Sequence, residues 1–259
     1  MEYLYKYCFM DYCRSSKEII GLVREHVEAG WNTHIRDAES YRVFNDMRGQ
    51  LTLLQLQGCR DYEFFRRSLE KPFDESIVLW HLATDFCYHH HQSISSGSIE
   101  DDCRLRGREI SKYMMHLLFA SPEMLMAGTR KNLFTTVYKE VERLLKHKAS
   151  HHETLLTKEL IAKMRDGSTV SEPIVGDAWL LAEGLMRVDG GEKRWKVIKG
   201  VWVEMLCFSA GRCRGFLHAK ALGSGGEYLS YVWLFLAHAG METFSERLQR
   251  TQRLAHSNP

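Results

Sequence analysis

The stretch from Gly200 to Arg250 constrains the fold most, because it is apolar at helical spacing on both sides of a basic, glycine-rich turn. Trp202, Met205, Leu206, Ser209 and Ala210 recur at i, i+3, i+4, i+7 and i+8, which places them on one helix face. Gly211 and Gly215 punctuate the end of that helix. Arg212 and Arg214 fall in its last turn, where the negative end of the dipole favours a cation. A second run starts after Gly223-Ser224-Gly225-Gly226, with Glu227 in its first turn, and continues through Tyr228, Leu229 and Tyr231 to Leu236. That run is apolar nearly all round, which predicts a central, buried helix. It is too short to cross a bilayer, which takes about 20 apolar residues. After Gly240 the pattern turns polar, and Glu242, Glu246, Arg247 and Arg250 predict an exposed amphipathic continuation. The stretch therefore reads as a buried C-terminal helical hairpin.

The rest of the chain repeats the helical period and shows neither strand alternation nor an internal repeat. Ser15-Ser16-Lys17-Glu18 forms a capping box for a helix that carries Ile19, Ile20, Val23 and Val27 inward and stops at Gly30. A second pattern covers Ala38 to Gln57, with Tyr41, Phe44, Leu51, Leu54 and Leu56 as core candidates. Cys59 to Phe73 reads as a connection with at most a short helix. Asp74 is expected to cap a helix from Glu75 to His90, followed by the Ser/Gly-rich acidic loop SISSGSIEDD. The helix carrying Ile110, Tyr113, Met114, Leu117 and Leu118 ends at Ser121-Pro122, since proline cannot continue it. Met124 to Leu133 reads as a turn or short helix, and Thr135 to Lys148 and His151 to Asp166 as amphipathic helices. A shorter helix lies within Pro173 to Val188, before the break at Gly190-Gly191. With only four prolines present, the expected fold is all-α: a single irregular bundle of roughly eight to ten helices. One helical domain over 1–259 is expected, with 1–95 and 104–259 as its alternative subdivision.

Composition narrows the function classes. The 259 residues are 44% hydrophobic and 26% charged, which is globular and not disordered. A net charge of +2 is too small for a dedicated nucleic-acid binder, so no nucleic-acid partner is expected. Seven cysteines without regular spacing point to reduced thiols in a cytosol-like compartment. The N-terminal MEYLYKYCFMDYC carries Glu2, Lys6 and Asp11 and matches neither a signal peptide nor a transit peptide.

Three groups of residues invite a chemical reading. Arg212, Arg214, His218 and Lys220 precede Gly225 and Gly226 at a helix N-terminus, where free amides and fixed positive charge suit a phosphate or carboxylate. The lysine precedes the glycines, so this is no Walker loop, and a capped interhelical turn explains the same residues. His81, Asp85 and His89 share one helix face, with Cys87, His90, His91 and Cys103 nearby. Imidazole and thiolate are zinc ligands, but no CxxC or HExxH spacing completes a set. Cys213 lies between two arginines that would lower its pKa, with His218 as a candidate base, whereas Cys207 sits in an apolar, inert setting. The methionine runs at Met114-Met115 and Met124 to Met126 read as core packing. No catalytic residue, metal ligand or cofactor is assigned from these residues; the anion-binding set stands as the candidate site.

Three blocks together carry a family resemblance: Ser76 to His89 (SIVLWHLATDFCYH), Ser111 to Phe134 (SKYMMHLLFASPEMLMAGTRKNLF) and Gly200 to Arg250. They resemble the plant domain of unknown function 594 family, the C-terminal module of multi-spanning membrane proteins expanded in grasses. The resemblance implies a helical module at the cytoplasmic side of a membrane and implies no catalytic residues. The hydrophobic N-terminal half of such proteins is missing here, which is expected of a truncated paralogue or of one part of a longer protein. The resulting expectation is a non-enzymatic, cytoplasmic interaction or regulatory module with a protein partner. Peripheral membrane association through an anion site is the first alternative, and a metal- or cysteine-dependent enzyme the second.

Overall fold

The computed structural model of the chain describes residues 16–90, 98–130, 132–145, 153–167, 169–224 and 227–249. Among them no strand occurs, and the fold is all-α. In chain order the helices are α1 (Ser16–Ala29), α2 (Ala38–Asp46), α3 (Gln50–Leu53), α4 (Tyr62–Glu70), α5 (Phe73–His90), α6 (Ile99–Ala120) and α7 (Pro122–Leu125). They continue as α8 (Asn132–Leu144), α9 (Glu153–Arg165), α10 (Pro173–Met186), α11 (Gly191–Arg212), α12 (Gly215–Gly223) and α13 (Tyr228–His238). A π-helical turn, Gly30–His34, follows α1, and a 3-10 turn, Leu54–Leu56, follows α3.

Packing runs in the order α10, α5, α6, α11, α13, each helix lying against the next. This order explains why α5 and α11 are apolar around most of their circumference: each is covered on two sides. Trp80 on α5 and Trp195 and Trp202 on α11 are fully buried, and each such side chain stabilises by roughly 1.5–3 kcal/mol or more. At Gly107 α6 lies directly against α11, where a Cβ would just touch the Lys199 backbone at 3.4 Å. A relay of hydrogen bonds crosses the stack. Trp202 Nε1–H donates to Thr84 Oγ1 (3.0 Å), the Thr84 hydroxyl to the Trp80 carbonyl (2.7 Å), and Trp80 Nε1–H to Ser68 Oγ (2.9 Å) on α4. The indole N–H groups of Trp80 and Trp202 are thereby satisfied and these two rings fixed in register, whereas Trp195 Nε1 is buried without a hydrogen-bond partner.

Several local expectations change. The pattern over Ala38 to Gln57 is interrupted at Gly49, whose φ of 129° few other residues adopt. The chain therefore turns between α2 and α3, and Leu54 faces out. The capping box expected at Ser15 begins outside the described residues. One is present instead at Asp37, where Ser40 N–H donates to Asp37 Oδ1 (2.8 Å) and Asp37 N–H to Ser40 Oγ (3.0 Å). Helix α5 begins at Phe73, so Asp74 is not its cap. Asp74 accepts from Arg130 Nε–H (2.7 Å) and Nη2–H (3.0 Å), a bidentate pair that ties α5 to the turn after α7. Helix α10 extends over fourteen residues, with Pro173 at its start. The expected two-helix hairpin contains a third helix, α12, in place of a simple turn. Helix α13 is not central either: Leu229, Val232 and Leu236 are buried, but Tyr231 and Leu234 are 49% and 43% exposed. It lies at the end of the packing order, with α11 covering one side only.

Candidate functional site

The C-terminal segment is seated by a carboxylate. Glu204 projects from α11 to the start of α3, where Oε2 accepts from Gly49 N–H (2.7 Å) and Leu51 N–H (3.2 Å). Its Oε1 accepts from Thr52 N–H (2.6 Å) and the Thr52 hydroxyl (2.6 Å). These are the free donors of a helix N-terminus, so Glu204 caps α3 from a distant helix. Burial raises its carboxyl pKa, and the four donors pull the other way.

The expected anion-binding residues do not converge. Arg212 is 6% exposed and turned inward, where Nη2 pairs with Asp46 and donates to the Asn45 carbonyl (3.1 Å). Its charge holds the end of α11 to the end of α2. His218 is buried: Nε2 lies 3.1 Å from the Ala210 carbonyl and Nδ1 3.0 Å from Ser230 Oγ. A carbonyl only accepts, so Nε2 carries the proton and Nδ1 accepts from Ser230. Burial lowers the His218 pKa, and the neutral ring stacks on Trp233 at 4.8 Å. It is a packing group between α12 and α13. Arg214 and Lys220 are exposed, while Gly225 and Gly226 lie outside the described residues. A binding role for the set thus retains two exposed cations, Arg214 just before α12 and Lys220 on it, rather than four groups around a turn.

Cys213 is corrected in the same way. The thiol is fully buried, with Sγ 3.9 Å from Met124 Sδ, and burial pushes its pKa up to about 12. Arg212 points to Asp46 instead of towards it, so desolvation prevails and no activated nucleophile forms. Cys207 is raised by burial as well, as expected of an inert core thiol.

The histidine face of α5 packs onto α6. His81 Nδ1 lies 2.9 Å from Ser111 Oγ, and Asp85 Oδ1 accepts from Arg108 Nε–H (3.3 Å). Arg108 Nη2–H reaches His89 Nε2 (3.2 Å), and Lys112 is close enough to depress both histidines. A guanidinium therefore occupies the position a metal would need between Asp85 and His89. Among the described residues no group of three or more His, Cys, Asp or Glu side chains is arranged to hold a metal ion. His91 lies outside the described residues.

One feature of the segment is outward and unclaimed. Phe216 on α12 is 62% exposed, and Tyr231 and Leu234 are exposed on the adjoining α13. Comparison with known proteins bears on this same region. Residues 187–241 match the family described as protein of unknown function, DUF594. The match assigns this segment to DUF594. No curated protein and no solved structure gives a significant match to the chain. The DUF594 segment takes in α11, α12 and α13 and covers the last of the three blocks up to Met241. Glu204, the carboxylate that caps α3, is not among the residues the sequence singles out. Glu204 was visible as the one carboxylate in the apolar run VWVEMLCF. A charge at a core position implies a buried partner. Nothing near it in the chain says that the partner is the backbone of 49–52. Glu227, at the start of α13, likewise accepts from the Tyr113 hydroxyl (2.7 Å) across from α6.

Proposed function

We propose that the chain is a non-catalytic protein-interaction module that works through the outward face of α12 and α13. The observation that carries this reading is the exposure of Phe216, Tyr231 and Leu234 on neighbouring helices. Singly exposed apolar residues are ordinary; three large ones on two adjoining helices support a docking surface. Around them Arg214 and Lys220 are exposed, and the one acid between 214 and 240, half-buried Glu227, accepts from the Tyr113 hydroxyl. Such a face favours a partner whose apolar surface is edged by acidic groups. Leu248, within the helical residues 244–249, is exposed as well. A regulatory role at the cytoplasmic face of a membrane agrees with five described cysteines that are all free. No described helix is long and apolar enough to cross a membrane.

The test is affinity capture of the tagged chain beside its Phe216→Asp/Leu234→Asp variant. A stoichiometric protein recovered by the parent and lost by the variant, at unchanged helicity and melting temperature, supports the reading. A partner retained by the variant overturns it. Flotation of the parent, but no protein capture, with vesicles containing phosphatidylserine overturns it in favour of a lipid surface.

A further inference from the structure

A second surface complements the first. Between α2 and the α3 region lies a groove of about 360 Å³, close to the lower end of the volumes of ligand-binding clefts. Its apolar lining includes Val43, Met47, Leu51 and Leu54, of which Val43 and Leu54 are 49% and 45% exposed. The charged groups that line it are Asp37 and Glu39, with His34 beside them. Arg42, also exposed on α2, does not line it. The volume suits a few large side chains and not a nucleotide cofactor.

The groove is built before any occupant arrives. Glu204 pins the backbone at Gly49, Leu51 and Thr52, which sets one wall. The Asp37–Ser40 capping box and the Tyr41 hydroxyl, which donates to the Gly240 carbonyl (2.9 Å), set the other. Two hydrogen bonds from Ser40 to Asp37 Oδ1 keep that carboxylate ionised. A preformed groove binds without the cost of ordering its own loops.

An occupant must be apolar, with cations set next to the apolar groups. That description fits the outer side of α12. Phe216 and Lys220 are four residues apart, hence neighbours on one side of α12, and Arg214 precedes them. We infer that a partner of this face is a second copy of the chain, whose α2–α3 groove receives Phe216 while its Asp37 and Glu39 meet Arg214 and Lys220. The inference rests on the face being a docking surface and names what docks there. The contact joins two different patches, so each copy offers both halves of it.

The experiment is sedimentation equilibrium of the full chain and two charge-reversed variants. A face variant carries Arg214→Glu and Lys220→Glu; a groove variant carries Glu39→Lys and Leu54→Lys. The parent is expected to gain mass with concentration, less so at high salt, and each variant alone to remain monomeric. An equimolar mixture of the two is expected to recover a two-chain species, because it restores one intact face and one intact groove. A monomeric parent, or a mixture that stays monomeric, overturns the self-pairing. In that event loss of a captured protein on Phe216→Asp/Leu234→Asp leaves the docking face standing, whereas retention of that protein removes both.

Discussion

Replacing Glu204 tests how the C-terminal segment is seated. With Glu204→Gln the carboxamide oxygen can face Gly49 and Leu51 while its NH₂ donates to the Thr52 hydroxyl, which leaves the Thr52 N–H without an acceptor. One buried unsatisfied donor costs about 1–3 kcal/mol, and the charge assistance of the remaining bonds is lost too, so about 3 kcal/mol is expected. Glu204→Leu strands all three backbone donors and should cost about 4 kcal/mol or more. At about 2–4 °C per kcal/mol for a chain of this size, the glutamine variant should melt roughly 6–12 °C lower. Calorimetry gives that shift. Amide exchange locates it, because the Leu51 and Thr52 amides on α3 should lose protection before those of α11. A leucine variant costing less than about 1 kcal/mol, or unchanged protection at both amides, would refute the capping role.

Two further outcomes follow from buried titratable groups. His26, His81 and His89 are held below their usual pKa chiefly by burial, His26 and His89 at about 4. Unfolding returns them to about 6.5, so the unfolded chain binds more protons in between and stability falls as pH drops from about 6.5 to about 4. Urea midpoints measured across that window should show the fall, and His89→Gln should flatten part of it; an unchanged slope in the variant contradicts the assignment. Cys213, with a thiol pKa of about 12, should react with iodoacetamide more than about tenfold more slowly than half-buried Cys59 under native conditions. Peptide mapping that finds the two labelled equally would show that the thiol is accessible.

Helical period made much of the fold legible. The apolar spacing from Trp202 to Ala210, the glycines at 190–191 and the Ser121-Pro122 stop all fall where α11 and α6 have their faces or ends. Period says nothing about coverage, however. Tyr231 and Leu234 read as core because they are apolar, yet they lie on the side of α13 that faces away from α11. Charge was misleading for a related reason. Arg212 beside Arg214 looks like a basic cluster in the chain, but its anion, Asp46, is 166 residues away and turns it inward. Cys213 then loses the cation expected to activate it. His218 looked like a free base because the hydroxyl and carbonyl that saturate its ring, at Ser230 and Ala210, cannot be paired with it from spacing alone.

The seating of α11 separates evolutionary recurrence from folding autonomy. The helix lies wholly within the DUF594 segment, yet its polar side chains are completed from outside: Glu204 by the amides at 49–52, Trp202 by Thr84, and Ser209 by the Leu125 carbonyl. Excised at its matched borders, the segment would lose the donors that fix Glu204 and carry two bare tryptophan faces into water. A chain that inherits this segment in this conformation must therefore inherit a cradle with it: a short helix offering free amides, a hydroxyl one helix over, and a carbonyl at a turn. Those partners are backbone atoms and two threonine hydroxyls, which many different sequences can supply. The unit a sequence comparison recognises can thus be much smaller than the unit that folds.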